Sequence, residues 1–346
     1  MNILAIFDGI SVGRVALERA SIKVDNYYRA EIDKHANIVA SSHYPDDINF
    51  GDVIKWREWD LDWASIDLLI GGSPCQSFSI AAAITGNRNG LDGKSGLFYI
   101  YLDILNHIKS LNPNIRFMLE NVKMKNESKK QLDEYLGVKG KYFNSELVSF
   151  QKRPRYYWTN WDWDLPVDKK ISFQDYKQDG DLSKYKVKET PSRIKMWSNG
   201  KGRKNGFGAC ANVTYSDKIY CLTTKQDRCP NSGLIEYDGF CRYLTQNELE
   251  IAQTLPTGYT SCVSYNQAQK VLGNGWTADA IAHIFRGIEY WLDGRGFVPN
   301  FISRQFGEII DIKDEVLYDV NYGTNCLVET LAGTYWISTE CLELSN

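Results

Sequence analysis

A cysteine stands where a nucleophile would be presented to a ligand. Residues 67–79 read Asp-Leu-Leu-Ile-Gly-Gly-Ser-Pro-Cys-Gln-Ser-Phe-Ser, so Cys75 follows an apolar strand, two glycines and a proline. Just past the carboxyl end of a buried strand, a thiol can act in covalent catalysis. A buried, inert cysteine is the alternative, because cysteines are common in protein cores. The polar neighbours of Cys75 disfavour that alternative and predict a nucleophile.

Two further segments supply charged groups suited to catalysis. Residues 117–122 read Phe-Met-Leu-Glu-Asn-Val and place Glu120 at the end of another strand. Residues 151–158 read Gln-Lys-Arg-Pro-Arg-Tyr-Tyr-Trp, with Arg153 and Arg155 two positions apart. In an extended segment these arginines share a face and can clamp one planar or anionic group. The aromatic flanks argue against a merely solvated basic run.

A glycine-containing turn and two acids indicate a nucleoside-containing cofactor. Residues 7–13, Phe-Asp-Gly-Ile-Ser-Val-Gly, follow a strand and open a helix. This is not the full G-x-G-x-x-G fingerprint, so a plain strand–helix turn is an equally good reading of the turn alone. Glu31, however, ends the next strand, where an acid commonly binds a ribose hydroxyl pair. Asp52 follows a third segment and is predicted to lie near the base.

Two glycine-rich segments carry cations. Residues 85–96 contain four glycines and two cations, and they are predicted to form a lid over an anionic substrate. Residues 184–204 contain eight lysines and arginines, and residues 198–208 within and after them are predicted to be an exposed, flexible loop. The loop is either a solvated linker or an arm that contacts phosphates.

The elements that must position these groups alternate between strand and helix in the first 160 residues. This alternation predicts an α/β fold with a mainly parallel, doubly wound sheet, whose ligands bind at the carboxyl ends of the strands. The predicted strands span residues 2–7, 27–31, 68–70 and 116–119, and the predicted helices span 12–20, 34–43 and 97–110.

The last 50 residues have a different character. Strands predicted over 307–312, 316–322, 325–330 and 334–338 suggest a small, SH3-like β-barrel, with edge strands of the catalytic unit as the alternative. Residues 306–346 contain one cation, Lys313, against eight acidic residues. Such a segment is a poor phosphate binder, so we expect a stabilising role or a protein partner for it.

Composition sets the broad class. The 346 residues, 43% hydrophobic and 24% charged, fit a folded protein of two or three domains. The sequence has no apolar run long enough for a membrane span and no basic leader, which predicts a cytoplasmic protein with no membrane partner. Its eight cysteines are then expected to be reduced thiols. The net charge of −3 does not by itself indicate nucleic acid.

The order of these motifs resembles that of the C5-cytosine DNA methyltransferases. Two later segments resemble further signatures of that family: 242–256, which contains Arg-Tyr-Leu-Thr-Gln-Asn-Glu and Gln-Thr-Leu-Pro, and 272–277, Leu-Gly-Asn-Gly-Trp-Thr. The resemblance covers about residues 1–292 except the region near 165–240. The glycine turn departs from the common bacterial F-x-G-x-G-G and is similar to the mammalian de novo type, although the chain has a bacterial or phage-like size.

The resemblance implies a Rossmann-like, S-adenosylmethionine-dependent methyltransferase fold. Residues 1–164 and 243–293 would form the catalytic domain, 165–242 the target-recognition region and 297–346 a small C-terminal β-rich module. The implied partner is double-stranded DNA in a bacterial or phage-infected cell, and no metal is implied. Pairing with a restriction enzyme and orphan status both stay open, as do the target sequence and the oligomeric state.

The resemblance also implies a role for each catalytic residue. Cys75 would add to C6 of a flipped cytosine, Glu120 would serve N3, and Arg155 with Arg153 would hold O2. The methyl donor would leave as S-adenosyl-L-homocysteine. The residues expected to bind the cofactor are Phe7, Asp8, Gly9, Ile10, Gly13, Glu31, Ile32, Asp52, Val53, Pro74, Leu97, Asn274 and Trp276. The residues expected to contact DNA are Gln76, Ser79, Arg88, Lys201, Arg203 and Lys204.

Three other functions fit the sequence less well. A tRNA cytosine methyltransferase of the same family would carry a Cys-Phe-Thr element, whereas residues 220–224 read Tyr-Cys-Leu-Thr-Thr. An inactive regulatory relative would lack residues such as Cys75, Glu120 or Arg155, all of which are present. A nicotinamide dehydrogenase would explain the glycine turn and the acids but not Pro-Cys-Gln or Gln-x-Arg-x-Arg.

Overall fold

A seven-stranded sheet forms the centre of the protein in a computed structural model. The structure describes residues 1–72, 96–200, 210–226 and 231–288, and beyond these only the backbone of strands up to residue 338. The sheet has the strand order β3-β2-β1-β4-β5-β7-β6. Its strands are β1 (Asn2–Ile6), β2 (Asn26–Ala30), β3 (Ile48–Asn49), β4 (Leu68–Gly72), β5 (Arg116–Val122), β6 (Lys141–Asn144) and β7 (Pro154–Thr159).

The pairing confirms the predicted α/β class with a mostly parallel sheet. Strands β1 to β5 pair in parallel. Strand β7 runs antiparallel to both of its neighbours, β5 and β6. The order reverses between β1 and β4, which is the switch point where such sheets form their ligand crevice.

Helices cover both faces of the sheet. In the described part of the chain they are α1 (Val12–Arg19), α2 (Lys34–His43), α3 (Gly96–Leu111), α4 (Asn126–Leu136), α5 (Pro191–Gly200), α6 (Gln246–Ala252), α7 (Tyr265–Asn274) and α8 (Ala278–Phe285). Successive residues of β1 alternate between the faces, because side chains of a strand point in opposite directions. Ile3 and Ala5 pack with α1 and α8. Leu4 and Ile6 pack with α3 and α4. Every one of these four β1 side chains is buried.

The segment before α6 is fixed by a buried ion pair. Arg242 and Glu248 are 2% and 0% exposed, and two guanidinium–carboxylate hydrogen bonds of 2.8 and 2.9 Å join them. Thr245 caps α6 and forms a capping box with Glu248. Burying two charges is tolerable here because both carboxylate oxygens and both terminal guanidinium nitrogens form hydrogen bonds. This network gives a physical reason for the Arg-x-Leu-Thr-x-x-Glu pattern.

Residues 165–242 contain a second, smaller core. Buried side chains of this core include Val187, Trp197 and Leu234. A short hairpin, β8 (Ile235–Tyr237) with β9 (Phe240–Arg242), lies beside it. Residues 198–200, predicted to lie in a flexible loop, are instead the last residues of α5, since the helix that begins at Pro191 continues to a terminal glycine.

The C-terminal strands differ from the prediction in number. A short pair, β10 (Tyr290–Trp291) with β11 (Phe297–Val298), precedes an antiparallel sheet of β12 (Ile309–Asp319), β13 (Gly323–Thr330) and β14 (Gly333–Ser338). Within the two predicted strands 307–312 and 316–322, residues 309–312 and 316–319 belong to the single strand β12. Residues 313–315, which separate the two predicted strands, lie at a shift of register between Ile312 and Val316, because a bulge takes up extra residues without ending a strand. An SH3-like barrel stays a prediction.

Candidate active site

The strands that carry the predicted site residues end at one edge of the sheet. Phe7 follows β1, Gly72 ends β4, and Glu120 lies near the end of β5. Gly72 and Glu120 are direct partners in the parallel pairing of β4 with β5. The carboxyl ends of β1 and β4 flank the switch point, so this edge is the expected ligand crevice.

The turn after β1 has a strained backbone. Phe7, Gly9 and Ser11 all have positive φ angles, of 57°, 62° and 57°. Two of the three are not glycine, and such residues are kept in this region only where the surroundings impose it. Asp8 supplies part of that constraint, because its carboxylate accepts hydrogen bonds from the hydroxyls of Ser11 and Tyr27 at 2.6 and 2.7 Å. Burial raises the pKa of Asp8 to about 6.

Glu31 holds the same turn from the other side. Its Oε2 accepts a hydrogen bond from the Gly9 main-chain N–H at 2.9 Å, and its Oε1 accepts from the N–H groups of Ile32 and Asp33. The carboxylate is thereby fixed, and Oε2, which has one donor, retains capacity for a further donor. A β-carbon on Gly9 would meet no atom within 4 Å, so open space adjoins this main chain. The turn therefore fits a ligand that carries hydroxyl groups.

Gly13 allows α1 to pack closely against the sheet, and its predicted contact with the cofactor stays a prediction. A β-carbon at this position would lie 2.6 Å from Ile70 Cδ1 and 3.0 Å from Tyr27 Oη. Only glycine lets the helix approach the sheet this closely, which is the role of the last glycine in dinucleotide-type turns. Ile10 is also buried, with its main-chain oxygen bound by Tyr259.

Two exposed isoleucines adjoin the predicted base site. Ile32 follows Glu31 and is 73% exposed, and Ile54 follows Asp52 and Val53 and is 59% exposed. Asp52 caps the short turn Val53–Glu58 by accepting a 3.0 Å bond from the Ile54 N–H. Val53 itself is 6% exposed and packs into the core, so Ile54 presents the side chain at this place. The sequence analysis did not include Ile54. The pattern that could have identified it is an apolar residue two positions after an acid that caps a turn.

Glu120 meets two groups from distant parts of the chain. Arg155 Nε lies 2.7 Å from Glu120 Oε1, and the Trp276 indole donates a 2.9 Å hydrogen bond to Oε2. Both charged side chains of the pair are nearly buried. Burial disfavours the charge on Arg155, but the nearby Glu120 outweighs it and raises the pKa of Arg155. The predicted general-acid residue and one predicted arginine are thus brought together.

Arg153 is placed differently from Arg155. Its guanidinium donates to the main-chain oxygens of Leu222, Gly273 and Gly275 at 3.2, 3.3 and 2.7 Å. Burial lowers the pKa of Arg153, and the neighbouring charge of Arg155 adds to this. The side chain therefore ties the end of α7 to residues 221–222. The two arginines lie close together, but Arg153 binds main-chain oxygens of residues 222, 273 and 275, whereas Arg155 pairs with Glu120.

Cys221, which sequence reasoning did not include in the site, lies between the two arginines. Its Sγ is 3.2 Å from Arg153 Nη1 and 3.8 Å from Arg155 Nη2. Burial opposes ionisation of this thiol, but the two guanidinium groups outweigh burial and lower its pKa. No local sequence signal marks the position, because the arginines come from residues about 70 positions earlier.

We expect Cys221 to react with iodoacetamide at lower pH than an ordinary thiol. The thiolate is the reactive form, so a lowered pKa moves the midpoint of the rate below the free-cysteine value of about 8.5. Peptide mass spectrometry after timed alkylation at several pH values measures this midpoint. Cys241 is the internal comparison, because burial raises its pKa to about 12. A Cys221 midpoint above about 8.5 would contradict the assigned electrostatics.

The remaining predicted residues divide into two groups. Leu97 lies in the first turn of α3 and packs at the edge of the core, and Asn274 is the exposed last residue of α7. The others lie outside the described residues: Pro74, Cys75, Gln76, Ser79, Arg88, Lys201, Arg203 and Lys204. Among the described residues, no cluster of three or more His, Cys, Asp or Glu could hold a metal ion. No described helix is long and apolar enough to cross a membrane.

Comparison of sequences connects this site with known proteins. Residues 1–152 match the family model for the C-5 cytosine-specific DNA methylase. The orphan methyltransferase M.Rho11sI of Bacillus phage rho11s is 37% identical over 126 residues, which are 36% of this chain and 23% of that protein. The type II methyltransferase M1.ScrFI of Lactococcus lactis subsp. cremoris is 26% identical over 303 residues, or 79% and 74% of the two chains. The match to M.Rho11sI thus spans about a quarter of that relative.

Solved structures show the same fold. The Dnmt2 methyltransferase of S. pombe superposes with a TM-score of 0.60 at 17% identity, over 82% of this chain and 96% of that one. The methyltransferase EhMeth of Entamoeba histolytica gives 0.61 at 17% identity, over 83% and 97%. At this identity the likeness concerns the fold alone. Similarity to the C-5 cytosine-specific DNA methylase family is found over residues 1–152, which are less than half of the chain.

Proposed function

We propose that this protein transfers a methyl group from S-adenosylmethionine to C5 of cytosine in duplex DNA. The observation that carries the proposal is the pairing of Glu120 with Arg155 at the sheet edge, beside the glycine turn. Cys75 follows Gly72, the β4 residue that pairs with Glu120, by three positions. A nucleophile, a carboxyl group and a cation are what activation of a cytosine ring requires.

The proposed reaction begins with addition of the Cys75 thiolate to C6. A bond forms between sulfur and C6, and the ring electrons that it displaces make C5 nucleophilic. Glu120 supplies a proton or a hydrogen bond at N3, and Arg155 stabilises negative charge at O2. S-adenosylmethionine, when bound, supplies the electrophilic methyl group. After C5 is methylated, with S-adenosyl-L-homocysteine as the leaving group, water accepts the C5 proton and the sulfur–C6 bond breaks. This releases 5-methylcytosine, restores the Cys75 thiolate and returns any N3 proton to Glu120.

Cofactor binding is assigned to the turn and to the acids around it. Glu31 would accept hydrogen bonds from the ribose hydroxyls, and Asp52 would lie near the base. Ile32 and Ile54 would supply apolar contact to that base, because both side chains are exposed beside these acids. Asp8 would act indirectly by holding the strained turn, since its carboxylate is already bonded to Ser11 and Tyr27.

The proposal assigns the O2 contact to Arg155 rather than to both arginines. The Arg153 guanidinium is occupied by three main-chain oxygens, whereas Arg155 faces the Glu120 carboxylate. Because C5 and C6 are stacked inside a duplex, the target base must be flipped out to reach this edge. We assign target recognition to residues 165–242, which carry their own small core.

Expression in a host that lacks cytosine methylation tests the proposal. Bisulfite sequencing of host DNA should show 5-methylcytosine in one sequence context, and the Cys75→Ala variant should show none. Bisulfite sequencing of tRNA from the same cells distinguishes the competing RNA substrate. Methylated tRNA with unmodified DNA would overturn the assignment of the substrate, and no methylation in either would overturn the activity.

Neutralising Lys201, Arg203 and Lys204 together should weaken DNA binding across all sequences. If these charges meet phosphates, the slope of log affinity against log salt falls by up to about 3, at about 0.9 for each phosphate that is no longer neutralised. Fluorescence anisotropy at several salt concentrations measures the slope. Lys23→Gln is the control. This cation is 90% exposed and precedes β2, at the edge of the sheet that lies opposite the proposed active site. Unchanged affinity with a shifted methylated sequence would mean that the segment reads bases.

A further inference from the structure

Trp276 forms a direct link to the Glu120 carboxyl group. It lies between α7 and α8, and its indole N–H donates to Glu120 Oε2 at 2.9 Å. The two residues are 156 positions apart in sequence. The sequence alone predicts only a cofactor contact for Trp276. The hydrogen bond gives it a second partner, which belongs to the reacting end of the site.

Gly72 makes room for this ring, and Gly13 lies at its far side. A β-carbon on Gly72 would lie 2.8 Å from Glu120 Oε2 and 2.8 Å from Trp276 Nε1, too close to both bonded atoms. A β-carbon on Gly13 would lie 3.5 Å from the far side of the ring, at Trp276 Cζ3. The indole therefore extends from Gly13, at the start of α1, to the carboxyl group of Glu120.

The backbone on either side of Trp276 is held in place. The Gly275 oxygen accepts hydrogen bonds from Arg153 Nη2 at 2.7 Å and from Gln253 Nε2 at 3.1 Å. The Thr277 hydroxyl donates to Gln253 Oε1 at 2.9 Å. Gln253 is fully buried, so this anchor is shielded from water. A side chain that is anchored on both flanks can hold its partner in one orientation.

The two oxygens of Glu120 are used unequally. Oε2 accepts the indole N–H, whereas Oε1 is buried and forms no hydrogen bond with any described residue, although Arg155 Nε lies 2.7 Å away. A buried polar atom without an aligned hydrogen bond is uncommon, and a catalytic role is one explanation for it. With Oε2 fixed by Trp276, Oε1 is the oxygen left to meet the base.

We propose that Trp276 is a positioning residue that fixes the Glu120 carboxyl group so that Oε1 faces cytosine N3. This inference rests on the proposed function. It predicts that the indole N–H contributes to the chemical step through Glu120, separately from any contact of the ring with the cofactor.

Trp276→Phe tests the proposal because it removes the N–H and keeps an aromatic ring. We expect kcat to fall about 10-fold, which corresponds to about 1.4 kcal/mol, while KM for S-adenosylmethionine stays within about two-fold. Trp163→Phe is the matched control, since its indole donates a 3.2 Å hydrogen bond to Thr159, at the opposite edge of the sheet. Calorimetry of cofactor binding gives an independent readout.

A double-mutant cycle shows whether the effect passes through Glu120. In a Glu120→Ala background, measured under single-turnover conditions with a radiolabelled methyl group, Trp276→Phe should cause no further loss. Equal losses in both backgrounds, or a raised KM with unchanged kcat, would overturn the proposal. A wild-type enzyme that methylates no cytosine in DNA or RNA would instead refute the proposed function.

Gly72→Ala provides a second test if Trp276→Phe does not fold. Its added methyl group would press on both Glu120 Oε2 and Trp276 Nε1, and so displace one from the other, while the indole ring is retained. We expect this variant to reproduce the loss of kcat with unchanged cofactor affinity. Normal turnover in a folded Gly72→Ala enzyme would show that the hydrogen bond does not position Glu120.

Discussion

Cys75→Ala is expected to abolish methyl transfer while leaving cofactor binding largely intact. Without a thiolate, C6 receives no nucleophile and C5 stays too electron-poor to accept a methyl group. Removal of a catalytic nucleophile costs orders of magnitude in rate, so we expect a loss of more than about 100-fold. Transfer of a radiolabelled methyl group to DNA measures the rate, and calorimetry measures cofactor affinity.

Cys262→Ala is the matched control for this prediction. Cys262 is exposed, and its contact with the Ser42 hydroxyl lies outside the proposed site. This variant should retain normal turnover, which excludes a general effect of losing a thiol. If Cys75→Ala kept more than about a hundredth of wild-type turnover, the covalent mechanism would be wrong. The enzyme would then need another way to activate the ring.

The elements around the crevice were predictable from local patterns. The helix expected over residues 34–43 spans Lys34–His43, and the expected strands and helices before residue 120 agree with the structure to within a few residues. Strong periodicity and turn residues mark such elements. The position of β7 between β5 and β6 could not be predicted from local patterns, because the order of strands depends on pairing between segments that are far apart in the chain.

The site was predictable where single residues stand at strand ends. Glu120 could be placed at the carboxyl edge from its strand alone, but the different partners of Arg153 and Arg155 could not. Alternation along an extended segment predicts both arginines on one face. The hydrogen bonds of Arg153, however, go to main-chain oxygens of residues 222, 273 and 275, which are distant in sequence. For the same reason, no sequence pattern indicated Cys221 beside the arginines or Trp276 on Glu120.

Glu120→Gln is expected to lose most of the activity while preserving the shape of the site. The amide has nearly the same size as the carboxyl group, so packing around Gly72 and Trp276 should persist. An amide can form a weak hydrogen bond to cytosine N3 but cannot hand a proton to it. Proton transfer by a positioned group contributes about 10²–10⁴-fold, which is the loss in kcat that we expect.

The charge balance of the site adds to this loss. Arg155 is nearly buried, and Glu120 is its ion-pair partner; removing one charge of a buried pair leaves the other uncompensated. Part of the loss of kcat can therefore come from displacement of Arg155. Thermal unfolding and DNA-binding measurements distinguish such a structural effect from an effect on proton transfer. Glu134→Gln, on the exposed surface of α4, is the control for a lost carboxylate. A folded, DNA-binding Glu120→Gln enzyme with near-normal kcat would mean that a different group activates the ring, and the assignment of Glu120 to N3 would have to be abandoned.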